Sequence, residues 1–274
     1  MTLLNTLLGF FDLRGLLLVC IVFIPLERLL ALHKEQHVFR KWWWNDLIYI
    51  FINRIFIFAG LAAIIVGVSV LAHWLVPAAV QEAVAGQPSW LQVLEAIILA
   101  DLGFYTAHRM FHSIPWLWKF HAIHHSIEEL DWLAAARVHP IDQVLTKGLS
   151  VLPLYALGFS GAAIGIFSGL YFWHSLLVHA NVRLNFGPLR WLIASPEFHH
   201  WHHANQREAY NMNYAGQLAF IDKLFGTMYM PKGQMPAKYG VDEPVPHTYV
   251  PHLLYPFRRR KPAVAADMAA GGKR

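Results

Sequence analysis

Eight histidines of this 274-residue chain fall into three short clusters with the spacing of metal ligands. The first cluster places two imidazoles four residues apart, and the other two repeat a spacing of i, i+3 and i+4. The members are, in chain order, His108 and His112, then His121, His124 and His125, then His199, His202 and His203. Since residues three and four apart share one face of a helix, each cluster should present its imidazoles to one point. Imidazole binds iron, zinc, copper and nickel, and eight ligands exceed what one ion takes, so the pattern predicts two metal ions.

Further polar residues near the clusters are candidates for ligands, or for partners that orient a ligand imidazole. His179 is the expected ninth ligand, and His174 lies five residues before it. The other candidates are His139, His200, Asp101, Asp131, Asn181 and Glu197. Asp101 lies seven residues before His108 on the same predicted helix. Its carboxylate is therefore expected either to orient a ligand or to make an ordinary interhelical hydrogen bond.

The composition indicates that the helices carrying these histidines lie partly in lipid. Hydrophobic residues make up 56% of the chain and charged residues only 14%, against about 25% charged residues in a typical soluble domain. The polar surface is too small for a fully soluble protein, which excludes an ordinary cytosolic enzyme, and nucleic acid is not an expected partner. The predicted fold class is all-α, an integral membrane bundle with a cytoplasmic histidine-rich helical cap that holds a dinuclear metal site.

Windows of about 20 apolar residues, the length that crosses the hydrocarbon core, predict about four spanning helices. The four regions are 15–32, 55–76, 90–107 and 149–178. Pro153 and Gly158 either split the last region into a hairpin or kink one long helix. We predict a single membrane-embedded domain over residues 1–261, with its motifs in 95–230, and a disordered tail over 262–274.

The distribution of Lys and Arg predicts how the chain is oriented in the membrane. Basic residues are concentrated between the first two predicted spans, whereas none occurs over residues 55–108. By the positive-inside rule, the loop 33–46 is cytoplasmic and the third span delivers His108 to the cytoplasmic side, together with the later clusters. The net charge of +5 and the basic run 258–261 also predict contact with an anionic lipid surface.

The three clusters and the residues around them resemble the fatty acid hydroxylase and sterol desaturase superfamily of integral membrane enzymes. The resemblance lies in the ordered motifs HxxxH, HxxHH and HxxHH, and in the flanks DWLAAARVHP, VHAN, PEFHHWHH and DKLFGTMY, over residues 95–230. It implies a non-haem di-iron site held wholly or mainly by histidine, in which zinc can replace iron in preparations. It also implies hydroxylation or desaturation of a lipid or sterol-like substrate with O2 and two electrons.

Two departures from that superfamily pattern bear on the electron donor and on one ligand. No stretch of this chain is left over for a fused cytochrome b5 domain, so a separate donor is expected, of ferredoxin, cytochrome b5 or reductase type. Relatives often carry two histidines four residues apart before the last cluster, whereas His174 and His179 are five apart. The role of His174 therefore stays open.

Other functional classes are also compatible with clustered histidine. A two-zinc membrane hydrolase acting on lipid headgroups would use similar ligands, although carboxylates usually join them, and no carboxylate lies inside these clusters. A haem-carrying membrane electron carrier needs only one or two axial histidines per haem. A scaffold without chemistry would tolerate the loss of these imidazoles.

Overall fold

The computed structural model describes residues 13–258, and every extended regular element in that range is helical. The longer helices are α1 (Leu13–Leu29), α2 (Trp43–Leu75), α3 (Ala78–Ala85), α4 (Ser89–Ser113), α5 (Pro115–His125), α6 (Pro140–Ala156) and α7 (Gly161–His179). The shorter ones are α8 (Pro196–His202), α9 (Ala219–Leu224) and α10 (Tyr249–Leu254). The prediction of an all-α fold is confirmed. The predicted tail over 262–274, and the basic run beyond residue 258, lie outside the described residues.

Three of the described helices are long and apolar enough to cross a membrane. They are α2, α4 and α7, with 33, 25 and 19 residues. Two of the predicted spans coincide with parts of α2 and α4. Both helices start before the predicted boundary, and α2 ends one residue before the predicted end at 76. The first predicted span corresponds to α1, which has 17 described residues and is not among the three.

The region 149–178 forms a helical hairpin and not one kinked helix. The break lies between α6 and α7, where Gly158 has a φ of 81°, a left-handed conformation that favours glycine. Ser160 then begins α7, because its hydroxyl oxygen accepts a hydrogen bond from the backbone N–H of Ala163 at 3.2 Å. Pro153 lies inside α6 and does not end it.

The helices pack closely around α4 and α6, whereas α2 is widely exposed. A Cβ on Gly103 of α4 would collide with the carbonyl oxygen of Leu149 on α6, so this crossing requires glycine. In α2, by contrast, only 6% of the apolar window is buried, and large side chains such as Val66 and Trp74 are exposed. Exposed apolar surface on this scale indicates contact with lipid.

Four helices carry histidines in their last turns and bring them to one end of the bundle. These helices are α4, α5, α7 and α8. Because α4 and α7 are both candidate spans, this end of the bundle lies near one face of the membrane. The helix ends thus place the predicted ligands beyond the apolar segments of the bundle. We call the region around these histidines the polar layer.

A buried ionic network holds this polar layer to the start of α2. Arg40 lies 2.6 Å from Asp46 and 2.8 Å from Asp131, and Arg137 lies 2.5 Å from the other oxygen of Asp46. Asp131 also accepts a hydrogen bond from the backbone N–H of Ala134 at 2.8 Å. Because charged partners at these distances satisfy one another, the network fixes the backbone around Arg137, next to the histidines.

Candidate metal centre

The structure gathers nine histidines into two adjacent groups. Within each group, the ligand nitrogens lie within 4.8 Å of one another. The first group is His108, His112, His121, His125 and His202, and the second is His124, His179, His199 and His203. These are the nine residues predicted as ligands from the sequence. All of them are buried except His112, which is half-buried.

The prediction that each sequence cluster faces one point is wrong for the last two clusters. Each of these two clusters contributes histidines to both groups. In α5, His121 and His125 belong to the first group and His124 to the second. At about 100° per residue, positions i and i+4 differ by about 40°, whereas position i+3 lies about 60° to the other side. One helix face can therefore serve two neighbouring sites.

Hydrogen bonds locate the protons in the second group. Nδ1 of His124 lies 3.1 Å from the carbonyl oxygen of Arg137, and Nδ1 of His179 lies 2.7 Å from that of Ser175. Because a carbonyl oxygen only accepts, each Nδ1 carries the proton and each neutral ring has a lone pair on Nε2. These two Nε2 atoms are 3.2 Å apart, so two lone pairs face each other. A cation bound between them removes that repulsion.

The first group contains buried nitrogen atoms without a partner. The Nε2 atoms of His112, His125 and His202 are buried and accept or donate no hydrogen bond among the described residues. Nδ1 of His202 donates to the carbonyl of Met212 at 2.9 Å, so its Nε2 also presents a lone pair. A buried polar atom left unsatisfied costs about 1–3 kcal/mol. Three of them in one site fit a bound metal ion.

Burial keeps these imidazoles in the form that binds metal. It lowers the pKa of the six ligands outside the candidate spans well below the usual histidine value, and repulsion from neighbouring imidazolium charges lowers the pKa further. The six are His121, His124, His125, His199, His202 and His203. These six imidazoles are therefore neutral and buried, and they offer only nitrogen atoms, which suits metal ions that prefer imidazole.

The region that contains both groups also matches known proteins. Residues 93–227 match the family model described as fatty acid hydroxylase. The chain belongs to the fatty acid hydroxylase family. All nine histidines of the two groups lie inside the matched residues.

The names of several curated relatives refer to enzymes that act on lipids. The chain is 34% identical to the ornithine lipid hydroxylase OlsE of Rhizobium tropici over 176 residues, which are 63% of this chain and 52% of the relative. It is 31% identical to alkylglycerol monooxygenase of Homo sapiens over 156 residues, 57% of this chain and 34% of the relative. A putative methylsterol monooxygenase of Dictyostelium discoideum is 24% identical over 139 residues, 50% of this chain and 51% of the relative. The chain thus spans about half or less of these relatives. No solved structure matches it.

In this member of the fatty acid hydroxylase family, one ligand is held by a carboxylate that sequence analysis did not identify. Nδ1 of His121 lies 2.7 Å from Oδ2 of Asp142, in the first turn of α6. The available signal was an acidic residue at the start of an apolar helix, three positions after His139. Burial raises the pKa of Asp142 well above its usual value. A metal ion on His121 would oppose this shift, because its positive charge favours the carboxylate.

Two first-group ligands are oriented by backbone carbonyls of a single loop. Tyr214 accepts from Nδ1 of His108 at 2.6 Å, two residues after the carbonyl that accepts from His202. Asp222 holds this loop, because its carboxylate accepts from the backbone N–H groups of Tyr214 and Ala215 at 2.8 and 2.7 Å. Asp222 begins the DKLFGTMY motif, which therefore supports the ligands and does not supply one.

Asp101 ties α4 to this loop and does not contact a ligand imidazole. Its carboxylate accepts hydrogen bonds at 2.6–3.1 Å from the backbone N–H groups of Gly216, Gln217 and Leu218. This is neither of the two roles expected from the sequence, since the partners are loop amides and not an imidazole or a helix. A carboxylate two turns inside a candidate span is thereby satisfied.

Replacing Asp101 by asparagine should lower stability and leave metal content unchanged. An amide has one accepting oxygen, so its NH2 group would face a backbone donor, at an expected cost of about 2–3 kcal/mol. Thermal unfolding in detergent and metal analysis of the folded protein would measure both effects. Asp242→Asn, at an exposed position, is the control. Loss of metal at an unchanged unfolding temperature would instead assign Asp101 to the metal centre.

Three other histidines singled out in the sequence lie outside both groups. Nε2 of His174 donates to the carbonyl of Ala194 at 2.8 Å. Nδ1 of His139 accepts from the backbone N–H of Ile141 at 3.1 Å and so caps α6. Both ring nitrogens of His200 have partners, at 2.8 and 3.1 Å. These rings position the backbone near the groups.

The remaining candidates for orienting partners also bind elsewhere. Asn181 exchanges two hydrogen bonds with the backbone of His33, at 2.8 and 2.9 Å. Glu197 accepts from Arg190 at 2.8 Å, and Asp131 belongs to the ionic network described above. Each holds a segment that flanks a ligand, and none contacts an imidazole of either group among the described residues.

Proposed function

We propose that the protein is a membrane-bound hydroxylase that holds two iron ions and uses O2 and electrons from a separate donor to oxidise a C–H bond of a lipid. The observation that supports this most directly is the pair of buried all-histidine groups, in which the Nε2 lone pairs of His124 and His179 face each other. Each group would hold one ion. Bound iron would supply the oxygen activation that no protein side chain can perform.

The names of the relatives support a lipid as the substrate. One is a hydroxylase of an ornithine lipid, and the others are monooxygenases of alkylglycerol and methylsterol. These molecules differ in their polar groups and share an apolar part with unactivated C–H bonds. Because each name describes the addition of oxygen, we propose hydroxylation and not desaturation for this chain.

The protein's own contribution would be to hold the ligands, exclude water and guide the lipid tail. Phe104 lies one turn before His108 on α4, and its ring centroid is 5.1 Å from that of His108 and 5.9 Å from that of Tyr171 on α7. Both helices are candidate spans. We assign these two aromatic rings to the wall along which a lipid tail reaches the first group. An apolar wall also keeps water from the reacting carbon.

Membrane orientation is part of the proposal. We count α1 with the three candidate spans, which makes about four spanning helices, and place the histidine groups on the cytoplasmic side. The basic residues between α1 and α2 support this side, since that segment packs against the polar layer through Arg40. A donor of ferredoxin, cytochrome b5 or reductase type would then approach from the cytoplasm.

The composition of the two groups favours this function over a two-zinc hydrolase. Neither group contains a carboxylate among the described residues, whereas hydrolytic zinc sites usually include one as a ligand or as a general base. A haem carrier would need only one or two of the nine imidazoles. Two complete sets of buried imidazoles match a dinuclear centre better.

The experiment uses the full chain, reconstituted with ferrous iron and a total lipid extract, with a reductase and ferredoxin and isotopically labelled dioxygen. We expect two iron ions per chain and one labelled oxygen atom in a lipid product, detected by mass spectrometry. Iron-depleted protein is the control. Lipid cleavage without labelled oxygen in zinc-loaded protein would identify a hydrolase instead, and an intense Soret band would identify a haem carrier.

A further inference from the structure

A cavity beside the end of α1 is lined by three basic residues that have no salt-bridge partner in the described part of the chain. Its volume is about 590 Å³, and its lining consists of Arg28, Leu29, Leu30, Ala31, Lys34 and Arg183. None of the three basic residues forms a salt bridge with another described residue. The neighbouring carboxylate of Glu27 is buried and accepts two backbone N–H groups, at 2.8 and 2.9 Å. The cavity is therefore positively charged.

The cavity adjoins the end of the exposed apolar face of α1. Along α1, large apolar side chains such as Leu17, Ile21 and Leu29 are 60%, 69% and 81% exposed, which suits contact with acyl chains. This apolar face ends at Leu29, next to Arg28. Cations that begin where a lipid-facing helix ends lie where phosphate groups lie in a bilayer.

The backbone around the cavity is fixed before any ligand binds. The N–H of Arg183 donates to the carbonyl of Leu30 at 2.7 Å, and Ala31 pairs with the residue before Arg183 in an antiparallel bridge. Arg28 donates to the carbonyl of Gln36 at 2.8 Å. Two segments far apart in sequence thus hold their cations around one space, which reduces the entropy lost on binding.

We propose that this cavity binds the phosphate group of an anionic phospholipid. Guanidinium groups bind phosphate oxygens in pairs, and Arg28 and Arg183 present two of them beside Lys34. The exposed Leu29 and Leu30 would contact the first part of the acyl chains. A second surface cavity, of about 640 Å³, has four carboxylates and one lysine in its lining, so it repels the same ligand.

A bound lipid would join α1 to the segment that carries a metal ligand. Arg183 lies four residues after His179 of the second group. A ligand held by both Arg28 and Arg183 would bridge these two segments in the folded state only. Binding to the folded state alone raises the unfolding temperature, so stability is a second measure of occupancy.

The test is native mass spectrometry of the metal-loaded full chain, released from micelles with equal amounts of dioleoyl-phosphatidylglycerol and dioleoyl-phosphatidylcholine. We expect the protein to retain phosphatidylglycerol preferentially and to unfold at a higher temperature when that lipid is added. In Arg28→Gln/Lys34→Gln/Arg183→Gln, retention should fall at least about tenfold, because three phosphate contacts are lost. If this triple variant does not fold, Lys34→Gln alone should still lower retention.

The matched control is Arg207→Gln/Lys223→Gln/Lys232→Gln, which removes the same charge from exposed positions outside the cavity. It should retain the lipid as the unmodified chain does. Equal losses in both triple variants, or undiminished retention in the cavity variants, would overturn the proposal. Displacement of the lipid by millimolar inorganic phosphate would assign the cavity to free phosphate and overturn the lipid assignment. None of these readouts depends on the proposed oxidation chemistry.

Discussion

Replacing His125 by alanine should leave one metal ion per chain in place of two and reduce lipid hydroxylation below detection. Nε2 of His125 is buried and has no hydrogen-bond partner among the described residues, and His125 belongs to the first group only. We expect the affinity of that group for iron to fall by more than about 100-fold, since changes to outer partners alone cost about 10- to 100-fold. Elemental analysis and labelled-oxygen incorporation would measure both effects.

The reciprocal variant, His203→Ala, should remove the ion of the second group and retain that of the first. His200→Gln is the matched control, because His200 lies on α8 beside these ligands and is equally buried, yet belongs to neither group. Glutamine keeps one donor and one acceptor for its two partners. If both alanine variants kept two ions, the groups would not be the binding sites.

Replacing Asp142 by asparagine should weaken iron binding about 10- to 100-fold in the first group without removing a ligand. The carboxylate oxygen lies 2.7 Å from Nδ1 of His121. It favours the tautomer with the proton on Nδ1, and its negative charge makes the imidazole a stronger ligand. Asparagine has nearly the same size and can still accept a hydrogen bond, so the loss reports mainly the charge. Competition with a chelator would measure the affinity.

The comparison with Asp101→Asn separates this effect from a general loss of stability. Both carboxylates are buried, and both lie on helices that enter the polar layer. Only Asp142 contacts an imidazole among the described residues. Unchanged chelator competition in Asp142→Asn, or an equal loss of affinity in Asp101→Asn, would contradict a specific role for the Asp142 carboxylate.

Local sequence patterns predicted the helical membrane architecture, but they did not predict how the region 149–178 is divided. Long apolar windows identified the helices that became α2 and α4, because the cost of leaving polar groups in lipid restricts such windows to spanning helices. The same windows did not decide between a hairpin and a kink at Pro153 and Gly158. In the structure, the left-handed φ of Gly158 and the N-cap by Ser160 separate α6 from α7 and form a hairpin. Glycine permits that conformation, but its presence does not require it.

Helical periodicity indicated which histidines gather in the structure, but it did not indicate how they divide between the two groups. It placed His121 and His125 on one face, and the structure puts both in the first group. It did not indicate that His124, between them, belongs to the second group with His179. The spacing of one helix does not contain that information, because the partner lies 55 residues away along the chain.

The sequence by itself determined that this protein is helical, that it meets lipid, and that clustered imidazoles are its candidate metal ligands, because composition and periodicity act over a few turns of helix. Only the tertiary structure decided how nine imidazoles divide into two groups and which atoms orient them. The orienting atoms are mostly backbone carbonyls, such as those of Arg137 and Tyr214. Every residue has a carbonyl, so only the packing of distant segments selects the ones that hold a ligand.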